Sequence, residues 1–176
     1  MKDNRGVDLN PIPTRWRGFQ FRSRLEARWA VCLDALIIKF WYEPEGFKLS
    51  GGDLYLPDFY LPDLNYYAEV KPFQLTTPEV LKCEDLAHDS RRPVVLLEGP
   101  PDFRLYHAIC PYATGTDSIM TECLLDIDYH DRKYYREGRL FMLTESEGNF
   151  RDESDFTAQY RDAVYSSRGH RFGEAA

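Results

Sequence analysis

The sequence predicts a mixed α/β (α+β) fold in which helices flank a mixed central sheet. Three observations lead there. The length of 176 residues is typical of one domain. The hydrophobic content is 43%, with aromatics at 15%, which excludes a disordered chain. Helical and strand-like patterns alternate along residues 23–98.

The first predicted helix begins at Ser23, because Glu26 follows three residues later in a capping-box pattern. Apolar residues then recur at steps of three and four from Leu25 to Ile37, as on one face of a helix. The period changes after that helix. Residues 39–42 are bulky and aromatic, which indicates a strand.

A hairpin is predicted next, with residues 47–49 and 54–60 as strands on either side of Gly51-Gly52. Turn residues at 62–65 then lead into a further strand at 66–71. The turn at 62–65 therefore places the strand at 54–60 beside the strand at 66–71.

A second helix is predicted from the capping hydroxyl of Thr77, with Pro78 at its first position, to about Asp89. Residues 94–97 are fully apolar, as in a buried strand. The order is therefore helix, three strands, helix, strand, which favours a mixed sheet with helices packed on it. Further along, we expect strands at 103–109 and 140–143 and a last helix capped by Ser154.

Asp58 and the segment Glu69-Val70-Lys71 are the residues best suited to chemistry. Side chains alternate along a strand, so Glu69 and Lys71 share one face and Val70 lies on the apolar side. Asp58 ends the preceding strand and comes beside them. Two carboxylates this close need a cation between them, and Mg²⁺ suits an oxygen-lined site. Lys71 can then orient the attacking water or take its proton.

The pair Pro57-Asp58, followed by Glu69-Val70-Lys71, resembles the signature of the PD-(D/E)xK nuclease superfamily. The element order over 23–98 resembles its restriction-endonuclease-like core (αβββαβ). Many members also carry a glutamate on the first core helix, where Glu26 lies. Small phage-encoded nucleases are the nearest comparison. The resemblance divides the chain into three parts: a basic N-terminal arm at 1–22, a nuclease core at 23–98, and a C-terminal extension of extra strands and a helix at 99–176.

The resemblance implies a role for each matching residue. Asp58 and Glu69 would bind Mg²⁺ directly together with the backbone carbonyl of Val70, and Mn²⁺ can substitute for Mg²⁺ in such sites. Lys71 would position the attacking water, and Glu26 would bind a second ion or hold a water. The implied activity is a metal-dependent endodeoxyribonuclease that hydrolyses the phosphodiester by in-line attack.

The distribution of charge indicates where DNA would bind. The chain carries a net −7, which argues against a protein that coats nucleic acid through bulk charge. Residues 1–30 nevertheless hold seven basic against three acidic residues. The arginines nearest the first helix are the expected phosphate contacts: Arg15, Arg17, Arg22, Arg24 and Arg28. Three aromatics interleave with them and either stack on bases or, for at least two, pack in the core: Trp16, Phe19 and Phe21.

Plainer interpretations remain open. Glu26 can serve only to cap its helix, and Asp58 only to form a turn. Glu69 and Lys71 can be a solvent-exposed ion pair of little energy. Gln74, just beyond the strand at 66–71, is better explained as a loop residue than as a DNA contact. Lys82, on the second helix, is better explained as a solvated lysine than as part of the site.

The C-terminal half adds weaker candidates. An acidic cluster at 126–131 with His130 is better explained as a hydrated loop than as a second metal site. A small basic group could join the DNA surface: Arg161, Arg168, His170 and Arg171. The scattered cysteines and histidines do not have zinc-site spacing.

The alternative function is a non-catalytic DNA-binding or protein-binding subunit on the same fold. One active site per chain would favour a homodimer for cutting both strands, and a larger nucleoprotein or viral assembly also fits. No apolar run reaches the roughly 18 residues of a membrane span, and the charged start is unlike a signal peptide. We therefore expect no membrane partner and a cytoplasmic location, in the host cytoplasm if the protein is viral.

Overall fold

The computed structural model describes residues 11–111, 118–124, 141–142 and 152–173. The described residues form a seven-stranded mixed sheet, two small two-stranded sheets and three α-helices. The elements in chain order are β1 (Thr14–Trp16), β2 (Phe19–Phe21), α1 (Arg24–Ala35), β3 (Trp41–Tyr42), β4 (Phe47–Lys48), β5 (Leu54–Tyr55), β6 (Phe59–Leu61), β7 (Tyr66–Lys71), α2 (Thr77–Ser90), β8 (Val94–Glu98), β9 (Tyr106–Pro111), β10 (Ser118–Leu124), β11 (Phe141–Met142) and α3 (Ala158–Gly169).

The large sheet has the order β11-β10-β9-β8-β7-β6-β3. Its neighbouring strands are antiparallel except for β7 and β8, which run parallel and are joined by α2. The predicted fold class, a mixed sheet flanked by helices, is therefore confirmed. None of the helices in the described ranges is long and apolar enough to cross a membrane.

Two hydrophobic clusters cover the two faces of the sheet. On one face, Val70 and Val95 pack with residues of α1 and α3 such as Trp29 and Tyr160. On the other face, Tyr67 packs with α2. Alternate residues of β7 and β8 fall in different clusters, as the alternation of strand side chains requires. The prediction that Val70 lies on the apolar side is confirmed.

The start of α1 matches the sequence pattern. The Ser23 hydroxyl accepts a hydrogen bond from the backbone N–H of Glu26 at 3.1 Å, so Ser23 caps the helix. Further along α1, Arg28 donates to the carbonyls of Ser167 and Arg168, both at 2.7 Å. These bonds fasten α1 to the carboxyl end of α3.

The predicted strand at 54–60 is wrong as a single element. Its first part, β5, pairs with β4 in a separate hairpin, and its last part, β6, belongs to the large sheet. Pro57 lies between the two parts and has no N–H to give to a strand ladder. Asp58 therefore stands just before β6 rather than at the end of a long strand.

Both later helix caps lie elsewhere than predicted. The cap of α2 is Thr76 rather than Thr77, and its backbone N–H donates to Glu79 Oε2 at 2.8 Å. The cap of α3 is Thr157, because Ser154 lies in a short 3-10 helix at Glu153–Asp155. Neighbouring hydroxyls compete for each cap, and the sequence does not rank them.

The predicted basic arm contains a hairpin, β1 and β2, that the sequence pattern did not reveal. Arg17 and Gly18 have φ of 46° and 87°, the left-handed pair of a two-residue hairpin turn. Phe21 is fully buried and Trp16 packs against the core. At least two of the three arm aromatics are therefore core residues, as the sequence predicted. Phe19 is 39% exposed.

The later strands were predicted only in part. β9 covers residues 106–111 instead of 103–109, and β11 is a short piece within the predicted 140–143. β10 was not predicted at all, although it extends the sheet beside β9.

Candidate active site

Three carboxylate side chains lie buried near the start of β6. Asp58, Glu69 and Glu26 are 3%, 4% and 7% exposed. The pairing of β6 with β7 places Phe59 opposite Ala68, so Asp58 lies beside Glu69 at the end of the ladder. The first turn of α1 supplies Glu26. The structure thus assembles three of the four predicted catalytic residues from separate elements, and Lys71 at the end of β7 is the fourth.

A cavity of about 520 Å³ opens between the first turn of α1 and the end of β7. Glu26, Asp58, Val70 and Lys71 line it. Ala68, which precedes these residues on β7, is fully buried, so the cavity meets the sheet only at the strand end. Glu26, Asp58 and Lys71 of the four predicted catalytic residues therefore share one solvent-accessible space, whereas Glu69 is not among the residues that line it.

Both oxygens of Asp58 have partners. Oδ1 accepts a hydrogen bond from Arg22 Nη2 at 2.6 Å, and Oδ2 accepts one from the backbone N–H of Val70 at 2.8 Å. Burial, and then the negative charges of Glu69 and Glu26, raise the pKa of Asp58 to about 8, against its usual 3.8. The arginine and the N–H offset this only partly.

Lys71 forms an ion pair with Glu69, with Nζ at 2.8 Å from Oε1. Burial alone would lower the pKa of Lys71, but the charges of Glu69 and Asp58 raise it above its usual value. The lysine is thus a stable ammonium ion that orients and neutralises, and it is unsuited to take a proton from water. Glu69 is only 4% exposed, so this is not the solvent-exposed pair that the sequence left open.

Glu69 Oε2 is buried and has no hydrogen-bond partner within the described part of the chain. A buried carboxylate oxygen without a partner is costly, and in a native protein it calls for a ligand or an ordered water. The nearby Tyr55 hydroxyl instead lies 3.5 Å from the Cys83 sulfur. Burial and then the charge of Glu69 raise the pKa of Tyr55, so it stays neutral.

Glu26 completes the cap of its helix and also lines the cavity, while its role toward a metal ion stays a prediction. Its Oε1 accepts from the Ser23 hydroxyl at 2.7 Å, which completes the helix cap. Its Oε2 accepts from the Tyr42 hydroxyl at 2.6 Å and from the backbone N–H of Arg22 at 3.2 Å. The carboxylate faces Asp58 closely enough to raise its pKa. Tyr42 escaped sequence reasoning, because a tyrosine in an aromatic strand gives no distinct signal.

Arg22, predicted as a phosphate contact, belongs to the carboxylate site instead. Its guanidinium contacts Asp58 and also Glu43, with Nε at 2.6 Å from Glu43 Oε1. Glu43 was likewise missed. It lies just after β3, and only the register of β3 with β6 brings it beside Asp58.

The other four predicted DNA-binding arginines have separate surroundings. Arg24 is exposed and lines the cavity. Arg15 bonds Gln20 at 2.7 Å, and Arg17 pairs with Asp34 at 2.5 Å. Arg28 is occupied by the carbonyls at the end of α3, as described above. Only Arg22 and Arg24 of the five therefore line the cavity.

The weaker candidates lie away from the site. Lys82 pairs with Asp53 at 3.0 Å, and Gln74 is exposed in a loop, as predicted.

The C-terminal basic residues have structural partners. Arg168 pairs with Asp102, and Arg161 donates to the carbonyl of Phe156, so both hold α3 in place. His170 packs edge-on against Trp16, Arg171 is exposed, and the acidic cluster at 126–131 lies outside the described residues.

A metal ion at this site would need several oxygen ligands close together. Among the described residues, no three Asp, Glu, His or Cys side chains form a ready cluster of metal ligands. Cationic side chains occupy one oxygen of each of two acids, with Arg22 on Asp58 and Lys71 on Glu69. The oxygens themselves fit a hard cation such as Mg²⁺, which takes one or two carboxylates. Glu69 Oε2, which has no hydrogen-bond partner among the described residues, is the oxygen of that acid left for such an ion.

No protein-family model matches the chain, and no curated protein sequence matches it either. Its chemistry must be inferred from the residues themselves.

Proposed function

We propose that this protein is a metal-dependent endonuclease that hydrolyses DNA, built on a restriction-endonuclease-like core of the PD-(D/E)xK type. One observation carries the proposal. Two buried carboxylates, Glu26 and Asp58, line one cavity together with the Lys71 ammonium. The third buried carboxylate, Glu69, pairs with Lys71 and keeps one oxygen without a partner among the described residues. Like charges are not buried together without a compensating cation.

Asp58 and Glu69, with the carbonyl of Val70, would hold Mg²⁺ or Mn²⁺, and the ion would supply Lewis-acid stabilisation of charge on the phosphate. Lys71, held charged by Glu69, orients the attacking water and offsets the negative charge that builds on the phosphate. Glu26, fixed by Ser23 and Tyr42, adds to the negative field that draws a cation into the site. Arg24, exposed at the cavity rim, is placed to contact a DNA phosphate.

A non-catalytic DNA-binding subunit is the second candidate. It is favoured by the ion pairs themselves, because Arg22 and Lys71 already neutralise two carboxylates. Such a protein would bind DNA equally well without divalent ions, and loss of Asp58 would leave its DNA binding intact.

Cleavage of supercoiled plasmid in Mg²⁺, in Mn²⁺ and in EDTA tests the proposal. We expect nicking or linearisation with either ion, and the ratio of the two products reports whether a homodimer cuts both strands. Lys71→Met should lower the rate by about 10²- to 10³-fold, the usual cost of losing one group that stabilises transition-state charge. Lys82→Met is the matched control, since Lys82 pairs with Asp53 away from the cavity. Parent-like cleavage by Lys71→Met would overturn the assignment.

A further inference from the structure

Arg22 is shared between two carboxylates at the edge of the site. Its guanidinium lies 2.6 Å from Asp58 Oδ1 and 2.6 Å from Glu43 Oε1. The two acids differ in burial, since the Asp58 side chain is 4% exposed and that of Glu43 is 27% exposed. One cation thus joins a buried acid of the site to a more exposed acid outside it.

The backbone N–H of Arg22 is bound within the site, whereas its side chain is partly exposed. The Arg22 N–H donates to the Tyr42 hydroxyl at 2.9 Å and to Glu26 Oε2 at 3.2 Å. The side chain itself is 54% exposed. A guanidinium on a long side chain can therefore move between two acceptors without moving the helix start.

Glu43 adopts a strained backbone conformation that directs it toward Arg22. Its φ is +45°, in the left-handed region that residues other than glycine seldom occupy. Its N–H donates to the carbonyl of Asp58 at 2.9 Å, which fixes its place beside that acid. Strain of this kind persists only where the surrounding structure enforces it, and it concentrates at functional sites.

A divalent cation held by Asp58 and Glu69 would need the same Asp58 oxygen that Arg22 now occupies. We propose that Arg22 is the internal counter-ion of Asp58, competing with the divalent cation, and that Glu43 takes over the guanidinium when the ion binds. The inference rests on the proposed function. Arg22 pairs with the buried acid in the ion-free protein, and Glu43 lowers the cost of releasing the guanidinium.

The proposal makes opposite predictions for two residues in contact. Arg22→Gln removes the competitor, so Mn²⁺ should bind roughly tenfold more tightly, as expected for loss of one ordinary charge-assisted bond. Glu43→Gln leaves Arg22 on Asp58 alone, so Mn²⁺ should bind more weakly by a similar factor. In the Arg22→Gln background, Glu43→Gln should have no further effect, because Glu43 acts through Arg22.

The measurement is Mn²⁺ binding to the full chain without DNA, by calorimetry and by the loss of free-ion electron spin resonance. Two matched controls remove the same charges nearby: Arg24→Gln, which lines the cavity without an ion pair in the described residues, and Glu45→Gln in the β3–β4 loop. Thermal melting in EDTA confirms that each variant is folded. If Arg22→Gln does not fold, the affinity of Glu43→Gln for Mn²⁺ still decides the test.

The outcomes separate this inference from the proposed function. Opposite shifts, absent from both controls and lost in the double variant, support the counter-ion role. If the parent binds Mn²⁺ but Arg22→Gln changes affinity no more than Arg24→Gln, Arg22 is only a structural ion pair. If Glu43→Gln still weakens binding in the Arg22→Gln background, Glu43 acts by its charge alone. If no variant binds Mn²⁺, the metal-dependent function itself is wrong.

Discussion

Asp58→Asn should remove a pH-dependent destabilisation from the ion-free protein. The pKa of Asp58 rises from 3.8 to about 8 on folding, through burial and the charges of Glu69 and Glu26. A carboxyl that holds its proton more tightly when folded favours the folded state at low pH. Its contribution is complete below about pH 4 and is lost as the pH rises through about 8.

The size of the effect follows from that shift. One pKa unit corresponds to about 1.4 kcal/mol, so the displacement sets an upper limit of about 6 kcal/mol. Only part of that limit falls between about pH 5 and about pH 8, because the titration of Asp58 begins to affect stability below this range. We therefore expect about 2 to 3 kcal/mol between about pH 5 and about pH 8.

Urea unfolding in EDTA at several pH values measures this difference. The free energy of unfolding of the parent, minus that of Asp58→Asn, should fall steadily as the pH rises. Asp63→Asn serves as the control, since Asp63 is half exposed and pairs only loosely with Lys39 at 3.4 Å. A difference that stays constant across the pH range would refute the argument that the acids repel. Saturating Mg²⁺ should restore stability to the parent at the alkaline end.

Three further substitutions test the surroundings of the site by urea unfolding. Tyr42→Phe removes the hydroxyl that bonds Glu26 at 2.6 Å, and should cost about 2 kcal/mol; an unchanged midpoint would contradict that bond. Ile37→Gly should stabilise by about 1 kcal/mol, because Ile37 is 81% exposed with φ of 62° at the end of α1; any loss of stability would show that the isoleucine is needed there. Arg28→Met should cost about 1 to 2 kcal/mol and raise proteolysis at α3 first; uniform proteolysis would argue against the helix bond.

Short-range patterns explain why part of the fold was predictable. The helix around Trp29 and the strand ending at Lys71 each follow from periodicity, a cap or a proline within a few residues. Asp58 and Glu69 were paired correctly because one tight turn connects their strands. Local chemistry was sufficient wherever sequence neighbours are also neighbours in space.

The remaining features depend on contacts that the sequence order hides. Arg22 looked like a free basic residue, and only the register between β3 and β6 brings Glu43 and Asp58 to it. Tyr42 reaches Glu26 for the same reason. Pro57 is visible in the sequence, but nothing local shows that the chain passes there from one sheet to another. Long-range register therefore decides how the site's charges are balanced.

The bonds from Arg28 to the end of α3 have a consequence for how the protein is made. The helix that carries Glu26 is synthesised early, whereas α3 follows only after the whole sheet. One face of α1 therefore stays uncovered on the ribosome until α3 emerges, and its last contacts close a very long loop. A nascent chain would therefore carry Glu26 on a helix that lacks part of its packing, so the surroundings of the candidate site would be complete only after α3 has docked.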